Sequence, residues 1–427
     1  MTKAQVTVLY DVGDATAAAD SVSVIGISAQ GMSELGQAAK TALFHADVIL
    51  GSWRQLNLIS DDVPGERRPW TSPLLPALSK VFAELEGKRI AVLTSGDPMF
   101  HGIGALLKRK LPHKQVVIYS HVSSASLACA RLGWQLERTP VYSLVNAVVE
   151  TLVLAIESGQ RFLVLGRDEK TPLEICELLV HMGQPQAQVE ILSDLGSSDE
   201  TIASGHAAKP PVVVSALNVI AVTPEYATLS RAPGLPDDCY DHDEYILPSH
   251  IRAVAIAALA PREQEVIWVI GGGAGSIAIE ALRTTHTTRA VVFEQDQLRQ
   301  ARILKNSRNL GVCHRIAIQG SAPEKYIDVP DSPEKIFIGG GLTCDGVFEG
   351  AWERLQPGGR LVVHATTAET EQFIWELHAI FGGMITKFEI AHTQQIGAFH
   401  TLQPDVPVTQ WVVEKSSLTH HSERPQP

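Results

Sequence analysis

The chain is short of the residues that announce metal, membrane or nucleic-acid chemistry. Its five cysteines, Cys129, Cys176, Cys239, Cys313 and Cys344, are scattered, with no C-x-x-C pair. Such spacing argues against a disulfide framework and against a zinc site. It fits a reducing compartment, so a cytoplasmic chain with no metal is expected. No apolar run reaches membrane-span length, and the polar start MTKAQVTVLYDVGD has no signal-peptide core. No membrane partner is expected. Positive charge is scarce as well: 35 Lys and Arg against 47 Asp and Glu leave a net charge of −12, which disfavours nucleic acid as a partner. An anionic small molecule is not excluded, because a local group of arginines overrides net charge. No internal repeat of fixed period is present.

Glycine, by contrast, is concentrated where it is informative. The turn Gly271-Gly272-Gly273-Ala274-Gly275-Ser276 lies between an apolar run, Val266–Ile270, and a helix-like run, Ile277–Leu282. A buried strand feeding a tight turn that opens a helix brings backbone N–H groups close to a ligand. A second apolar run, Ala290–Phe293, ends on Glu294, where nucleoside-binding α/β sheets hold ribose hydroxyls. The dinucleotide fingerprint requires Gly or Ala at position 276; Ser stands there, and the extra glycine is at 275. That G-x-G-x-G spacing resembles S-adenosylmethionine-dependent methyltransferases. A turn that uses glycine only for packing is the alternative reading of the same residues.

Strand-like and helix-like segments alternate from Val22 to about Tyr226, through Ala46–Leu50, Arg89–Thr94, Gln115–Ser120, Arg161–Leu165, Val189–Leu192 and Asn218–Val222. Alternation of this kind predicts a mostly parallel sheet. The Pro/Gly stretch Arg231–Pro236 reads as a linker, and strand candidates resume at Val266 and run to Val408–Glu414. The boundaries are therefore an N-terminal extension (1–20), a first domain (21–230), a second domain (231–415) and a disordered tail (416–427). Within the first domain, Ser95-Gly96-Asp97-Pro98-Met99-Phe100 ends a strand in a turn, and Ser123-Ser124 follow a strand where they can cap a helix.

Taken in order, Val24-Ile25-Gly26-Ile27, Gly51 with Arg54, Ser95–Phe100, Ser123-Ser124 and Ala130-Arg131-Leu132-Gly133-Trp134 resemble the tetrapyrrole methyltransferases of corrin biosynthesis. Ala232–Asp237, Asp241-His242-Asp243, Phe337–Thr343 and Pro407–Trp411 are similar to the junction and second half of a two-domain member. The resemblance covers about residues 21 to 415. It implies an α/β chain with an N-terminal two-lobed tetrapyrrole-methylase fold and a C-terminal Rossmann-like seven-stranded methyltransferase domain. It implies methylation of ring carbons 5 and 15 of a corrin precursor, and loss of carbon dioxide from the acetate on ring carbon 12. The C-terminal domain is the one associated with carbon 15 and decarboxylation. The implied cofactor is S-adenosylmethionine, held by Gly271, Gly273, Gly275, Glu294 and Ala322 in the second domain. Gly26, Gly96, Asp97, Met99, Ser123 and Ser124 are its candidates in the first. A tetrapyrrole substrate and a homo-oligomer are expected.

Alignment of carbon, methyl and sulfur carries most of such a reaction, so no catalytic acid or base is assigned. Arg54 and His101 are candidate substrate contacts, with Arg67 and Arg68 as further carboxylate partners or as a solvated basic loop. His242 and His364 join His101 as candidates for proton handling. Three positions depart from the family pattern: Val269 stands for an acid before the first glycine, Leu247 for a Thr, and Ser28 for a glycine. They keep open the reading of a tetrapyrrole- or S-adenosylmethionine-binding protein that has lost one activity; a third reading, a nicotinamide oxidoreductase using the Gly271 turn, is one that Ser276 argues against.

Overall fold

The computed structural model describes residues 20–70, 74–243 and 246–416. Residues 1–19 of the expected N-terminal extension and the tail from 417 lie outside the described residues. The chain forms two compact units, one of residues up to Asn146 with Arg161–Glu225, the other of Ala147–Gln160 with Tyr226 onward.

The first unit contains two five-stranded sheets. One is built from β1 (Ser21–Ile27), β2 (Val48–Gly51), β3 (Glu66–Pro69), β4 (Ile90–Ser95) and β5 (Gln115–Tyr119), in the spatial order β3-β2-β4-β1-β5. All its pairings are parallel, and its inner strands β1, β2 and β4 are mostly apolar and buried except at Ser95, as a sheet covered on both faces requires. The other comprises β6 (Val141–Ser143), β7 (Phe162–Leu165), β8 (Gln188–Ser193), β9 (Thr201–His206) and β10 (Asn218–Thr223), in the order β6-β7-β10-β8-β9. Here the expectation of a mostly parallel sheet fails. The last strand, β10, inserts between β7 and β8 and runs antiparallel to both, and β8 pairs antiparallel with β9. Apolar alternation reports burial and cannot report strand direction.

The second unit holds a seven-stranded sheet. Its members are β11 (Val266–Ile270), β12 (Arg289–Phe293), β13 (Ile316–Gln319), β14 (Lys335–Ile338), β15 (Arg360–Ala365) and β16 (Met384–Phe388). A separate hairpin, β17 (Ala391–Ile396) and β18 (Phe399–Pro404), precedes the remaining member, β19 (Val408–Glu414). In the order β13-β12-β11-β14-β15-β19-β16, five parallel strands are followed by β19, which runs antiparallel to both of its neighbours, β15 and β16. Trp268 and Trp411 are fully buried on one side of this sheet, where Trp268 packs against Phe293 and Tyr326.

On the other side a buried ionic cluster ties the Pro/Gly stretch to the core. Arg252, on the helix Ser249–Leu259, donates from Nε to Glu280 Oε1 at 2.6 Å; it also reaches Asp237 and the carbonyls of Leu247 and Leu235. Glu280, on the helix Ser276–Arg283, further accepts from Tyr240 Oη at 3.0 Å and Gly234 N at 2.5 Å. Both charged residues are buried. The stretch read as a linker is thus a clamped part of the second unit. So is the segment 147–160, which the boundary read from sequence leaves in the first domain: Leu154 joins the second unit's core, and Glu157 accepts from Arg283 at 2.8 Å. Removing one member of a buried pair strands the other charge in low dielectric, which costs about 3–5 kcal/mol. Glu280→Ala is therefore expected to lower the thermal midpoint of the second unit and to open the 231–240 stretch to a nonspecific protease. Unchanged melting and unchanged cleavage would remove the cluster from this role.

Candidate functional sites

Each unit carries a cavity at the carboxyl ends of its parallel strands, where open α/β sheets bind ligands. In the first unit a cavity of about 300 Å³ is lined by Ile27, Ser28, Arg54, Ser95, Gly96, Asp97, His101, Ser123, Ser124 and, from the second sheet, Leu165, Gly166, Leu192 and Asn218. Its residues are held by local geometry. Ser52 and Gln55 form a capping box on the short helix Trp53–Leu56, which places Arg54 and Gln55 so that both donate to Ser95 Oγ. Burial lowers the pKa of the Arg54 guanidinium, and the carboxylate of Asp194 partly restores it. Asp97 accepts from Met99 N at 2.7 Å, closing the turn after β4. His101 sits on the cavity wall with φ of 53°, a left-handed conformation uncommon outside glycine.

The candidates from sequence divide here. Gly96, Asp97, Ser123, Ser124, Arg54 and His101 line the cavity; Gly26 and Met99 do not. Gly26 serves packing: a Cβ there would lie 2.3 Å from Gly96 O, so its absence lets β1 carry the Gly96 turn. Met99 contributes its backbone to the turn and leaves its side chain half-exposed. Ser123 caps the helix Ser124–Leu132 by accepting from Ser126 N, as its place in sequence indicates. Ser28 donates to Glu34 Oε2 at 2.6 Å. Arg67 and Arg68 are engaged elsewhere, by the carbonyls of Leu56 and Ser60 and by Glu66.

Asn218 is the residue that the sequence did not reveal. Its Nδ2 donates to the carbonyls of Asp168, Ser215 and Ala216, which fixes the amide orientation. Its Oδ1 is buried without a hydrogen-bond partner and lies against Gly166, while the residue itself lines the cavity. A buried acceptor left open is costly unless a ligand donor meets it.

In the second unit the strands β11, β12 and β14 are in register, Ile270 beside Phe293 and Ile338. Gly271, Glu294 and Gly339 therefore leave the sheet side by side. A cavity of about 250 Å³ opens there, lined by Gly271, Glu294, Gln295, Arg299, Ser321, Ala322, Gly340 and Cys344. Gly271, Gly273 and Gly275 all have positive φ, 76°, 54° and 82°. A Cβ on Gly271 would lie 2.8 Å from Gly340 N, so side chains are excluded where the two loops meet. Glu294 is buried; Oε2 accepts from Gly273 N at 2.8 Å and Oε1 from Asp296 N at 3.0 Å. The acid holds the glycine turn and still presents lone pairs to the cavity. Arg299 lines the wall and donates to Asp243 at 2.9 Å, which holds the Asp243 carboxyl below its usual range.

Gly271, Glu294 and Ala322 line this cavity, whereas Gly273 and Gly275 shape the turn behind it. Val269 is buried in the apolar core with Ile267 and Ile277, so the departure at 269 is absorbed by packing. Leu247 packs on the same core and lends its carbonyl to Arg252. His364 lies within the sheet, bonded to Gln410 at 2.9 Å, and burial lowers its pKa; it faces neither cavity.

Residues 21–211 match the family model of the tetrapyrrole (corrin/porphyrin) methylases, and residues 238–415 match that of a precorrin methyltransferase domain. The two units with their two cavities are thus a tetrapyrrole methylase joined to a second methyltransferase. Over 398 residues the chain is 38% identical to the precorrin-6Y C(5,15)-methyltransferase [decarboxylating] of Mycobacterium tuberculosis strain ATCC 25618 / H37Rv, covering 92% of this chain and 100% of that protein. It is 36% identical over 397 residues to the protein of the same name from Sinorhizobium sp, covering 91% and 95%. A third relative, a probable cobalt-precorrin-6B C(15)-methyltransferase (decarboxylating) from Saccharolobus solfataricus, is 32% identical over 143 residues, 32% of this chain and 72% of that protein. The chain belongs to the family of decarboxylating precorrin-6Y C(5,15)-methyltransferases.

The arrangement around Glu294 separates two effects. Glu294→Ala removes the acceptor that holds the loop and borders the cavity, and is expected to weaken S-adenosylhomocysteine binding in the second unit by roughly 1.5–3 kcal/mol. Glu294→Gln keeps an amide oxygen for Gly273 N and is expected to lose less. Titration calorimetry reads both; equal affinity of both variants and wild type would mean that Glu294 touches no ligand.

Proposed function

We propose that this chain methylates precorrin-6Y at carbons 5 and 15 and releases the carboxyl of the carbon 12 acetate as carbon dioxide, using S-adenosylmethionine in each unit. The observation that carries the proposal is the presence of two separate cavities, one per unit, each at the carboxyl ends of parallel strands and each bordered by glycines. The name shared by the two long relatives specifies two carbons. A relative matching only a third of the chain is named for carbon 15 and decarboxylation alone, so that chemistry is separable; we assign it to the second unit and carbon 5 to the first.

S-adenosylmethionine supplies an activated methyl group on its sulfonium sulfur. The residues present suit such a molecule. Asn218 Oδ1 offers a buried acceptor for an amino group; Glu294 offers a carboxylate for paired hydroxyls; and the Gly96 and Gly271 turns let backbone come close. Arg54, at the first cavity, matches the carboxylates that a corrin precursor carries. We assign His101, which lines the same cavity, to contact with the macrocycle as well. The remaining work of the chain is alignment and exclusion of water, for which proximity is worth several kcal/mol. We further place the chain in the cytoplasm as a homo-oligomer. Among the described residues no helix is long and apolar enough to cross a membrane, and the β17–β18 hairpin exposes Ile396, Phe399 and Leu402. Light scattering tests the oligomer: a monomer mass would refute it.

The two-site reading is tested by paired variants. Gly96 has φ of 61° and Gly271 has φ of 76°, so a β-branched residue strains either turn. Gly96→Val is expected to abolish methylation at carbon 5 and spare decarboxylation with methylation at carbon 15; Gly271→Val is expected to do the reverse. Product mass reads the outcome, since each methyl adds about 14 mass units and lost carbon dioxide removes about 44. Loss of both reactions from either folded variant would overturn the two-site model. Carbon 5 methylation alone from wild type would assign the second unit to binding.

A further inference from the structure

One cluster of donor groups lies apart from both cavities. His250 is the second residue of the helix Ser249–Leu259, His392 is on β17, and Asp405 follows β18. His392 Nε2 lies 3.0 Å from Asp405 Oδ2, and His250 Nε2 lies 3.3 Å from the same oxygen. One donor atom from each of the three residues falls within 4.8 Å of the other two. We propose that these residues form a binding site for a first-row divalent metal ion, for which Zn²⁺ is the natural probe.

Three features support a shared ion over a simple ion pair. First, the two histidine–carboxylate distances, 3.0 and 3.3 Å, suit it: ligands about 2.0–2.1 Å from a tetrahedral ion sit about 3.3 Å from one another. Second, His250 Nε2 is buried and makes no hydrogen bond, although the carboxylate is within reach. The carboxylate oxygen is off the line of its N–H, whereas a lone pair needs only an ion between the three groups. Third, the rings of His250 and His392 have centroids 4.9 Å apart and are inclined at 51°. Two protonated imidazoles that close repel each other, while two neutral ones can share a cation.

Two imidazoles and one carboxylate form a donor set suited to zinc and its neighbours rather than to calcium or magnesium. Three protein ligands leave further positions for water or another ligand. The ligands come from three segments, so the ion would pin the base of the β17–β18 hairpin to the start of the helix. Asp405 is already fixed for this by its N–H, which donates to Ile390 O at 2.8 Å. Outside that base, every residue of β17 and β18 is exposed, which leaves the hairpin few contacts of its own.

The test uses the full, untagged chain freed of metal by chelation. Equilibrium dialysis against Zn²⁺ is expected to give one bound ion per chain, removed or weakened about 10–100-fold in His392→Ala and in Asp405→Ala. His392 is half-exposed, so its truncation spares the core; circular dichroism checks both variants. Hydrogen exchange gives a second readout: Zn²⁺ is expected to slow exchange of amides 391–405 in wild type and to leave His392→Ala unchanged. Wild type that retains no zinc would overturn the proposal. So would variants that bind zinc as wild type does, because the ion would then sit elsewhere. Neither outcome bears on the methyl-transfer reading.

Discussion

The carboxylate of Glu280 organises the second unit. It is buried at the middle of the helix that follows the glycine turn, and three donors converge on it: Arg252, Tyr240 and the backbone of Gly234. A buried carboxylate is tolerated only when charge and lone pairs are matched, and here they are. Burial raises the pKa of the Tyr240 hydroxyl, with the nearby Glu280 charge adding to the rise, so tyrosine remains a donor. The Pro/Gly stretch, the helix Ser249–Leu259 and the helix of the glycine turn are locked together by that one group. The position of the turn relative to β11 depends on the lock, and so does the cavity at its tip.

The two units reach similar sites by different routes. In the second, parallel strands in register deliver Gly271, Glu294 and Gly339 to one edge, and the acid ties down the turn it faces. In the first, one wall comes from the parallel sheet, through Ser95 to Asp97, and the other from a mixed sheet, through Gly166 and Asn218. Polar side chains on both walls are held by neighbours before any ligand arrives: Arg54 and Gln55 by Ser95, Asp97 by its own turn, Asn218 by three carbonyls. Such preorganisation lowers the entropy that binding must overcome.

How far the sequence could be read follows from which forces are local. Val266–Ile270 was legible to the residue because an inner strand is apolar on both faces, and Glu294 was legible because it ends such a run. The strands that escaped, β3, β6, β9, β16 and the two of the hairpin β17–β18, all lie at sheet edges, where solvent on one side relaxes the demand for apolar residues. The direction of β10 was invisible for another reason: antiparallel insertion between β7 and β8 is a property of topology, and no residue in Asn218–Thr223 encodes it alone. Site residues divide in the same way. Gly96, Asp97, Ser123 and Gly271 belong to turns with local signatures, while Asn218, Arg299 and Gly340 acquire their places from partners far away in sequence. The histidines were legible only as residues: His364 lies in the sheet core and His101 on a cavity wall, which periodicity does not distinguish.

The contact between Asn218 and Gly166 joins two positions that lie 52 residues apart into a single unit of variation. A Cβ at 166 would fall 1.9 Å from Asn218 Oδ1, closer than any real pair of atoms tolerates without bonding. Even alanine at 166 therefore demands a shorter or displaced side chain at 218. A change at 218 that withdraws the oxygen removes the closest of these contacts and leaves Ile220 Cδ1, 3.2 Å from that Cβ, as the next one. Through descent the pair can drift only in step, and a lineage that alters one without the other loses either the buried acceptor or the packing behind it.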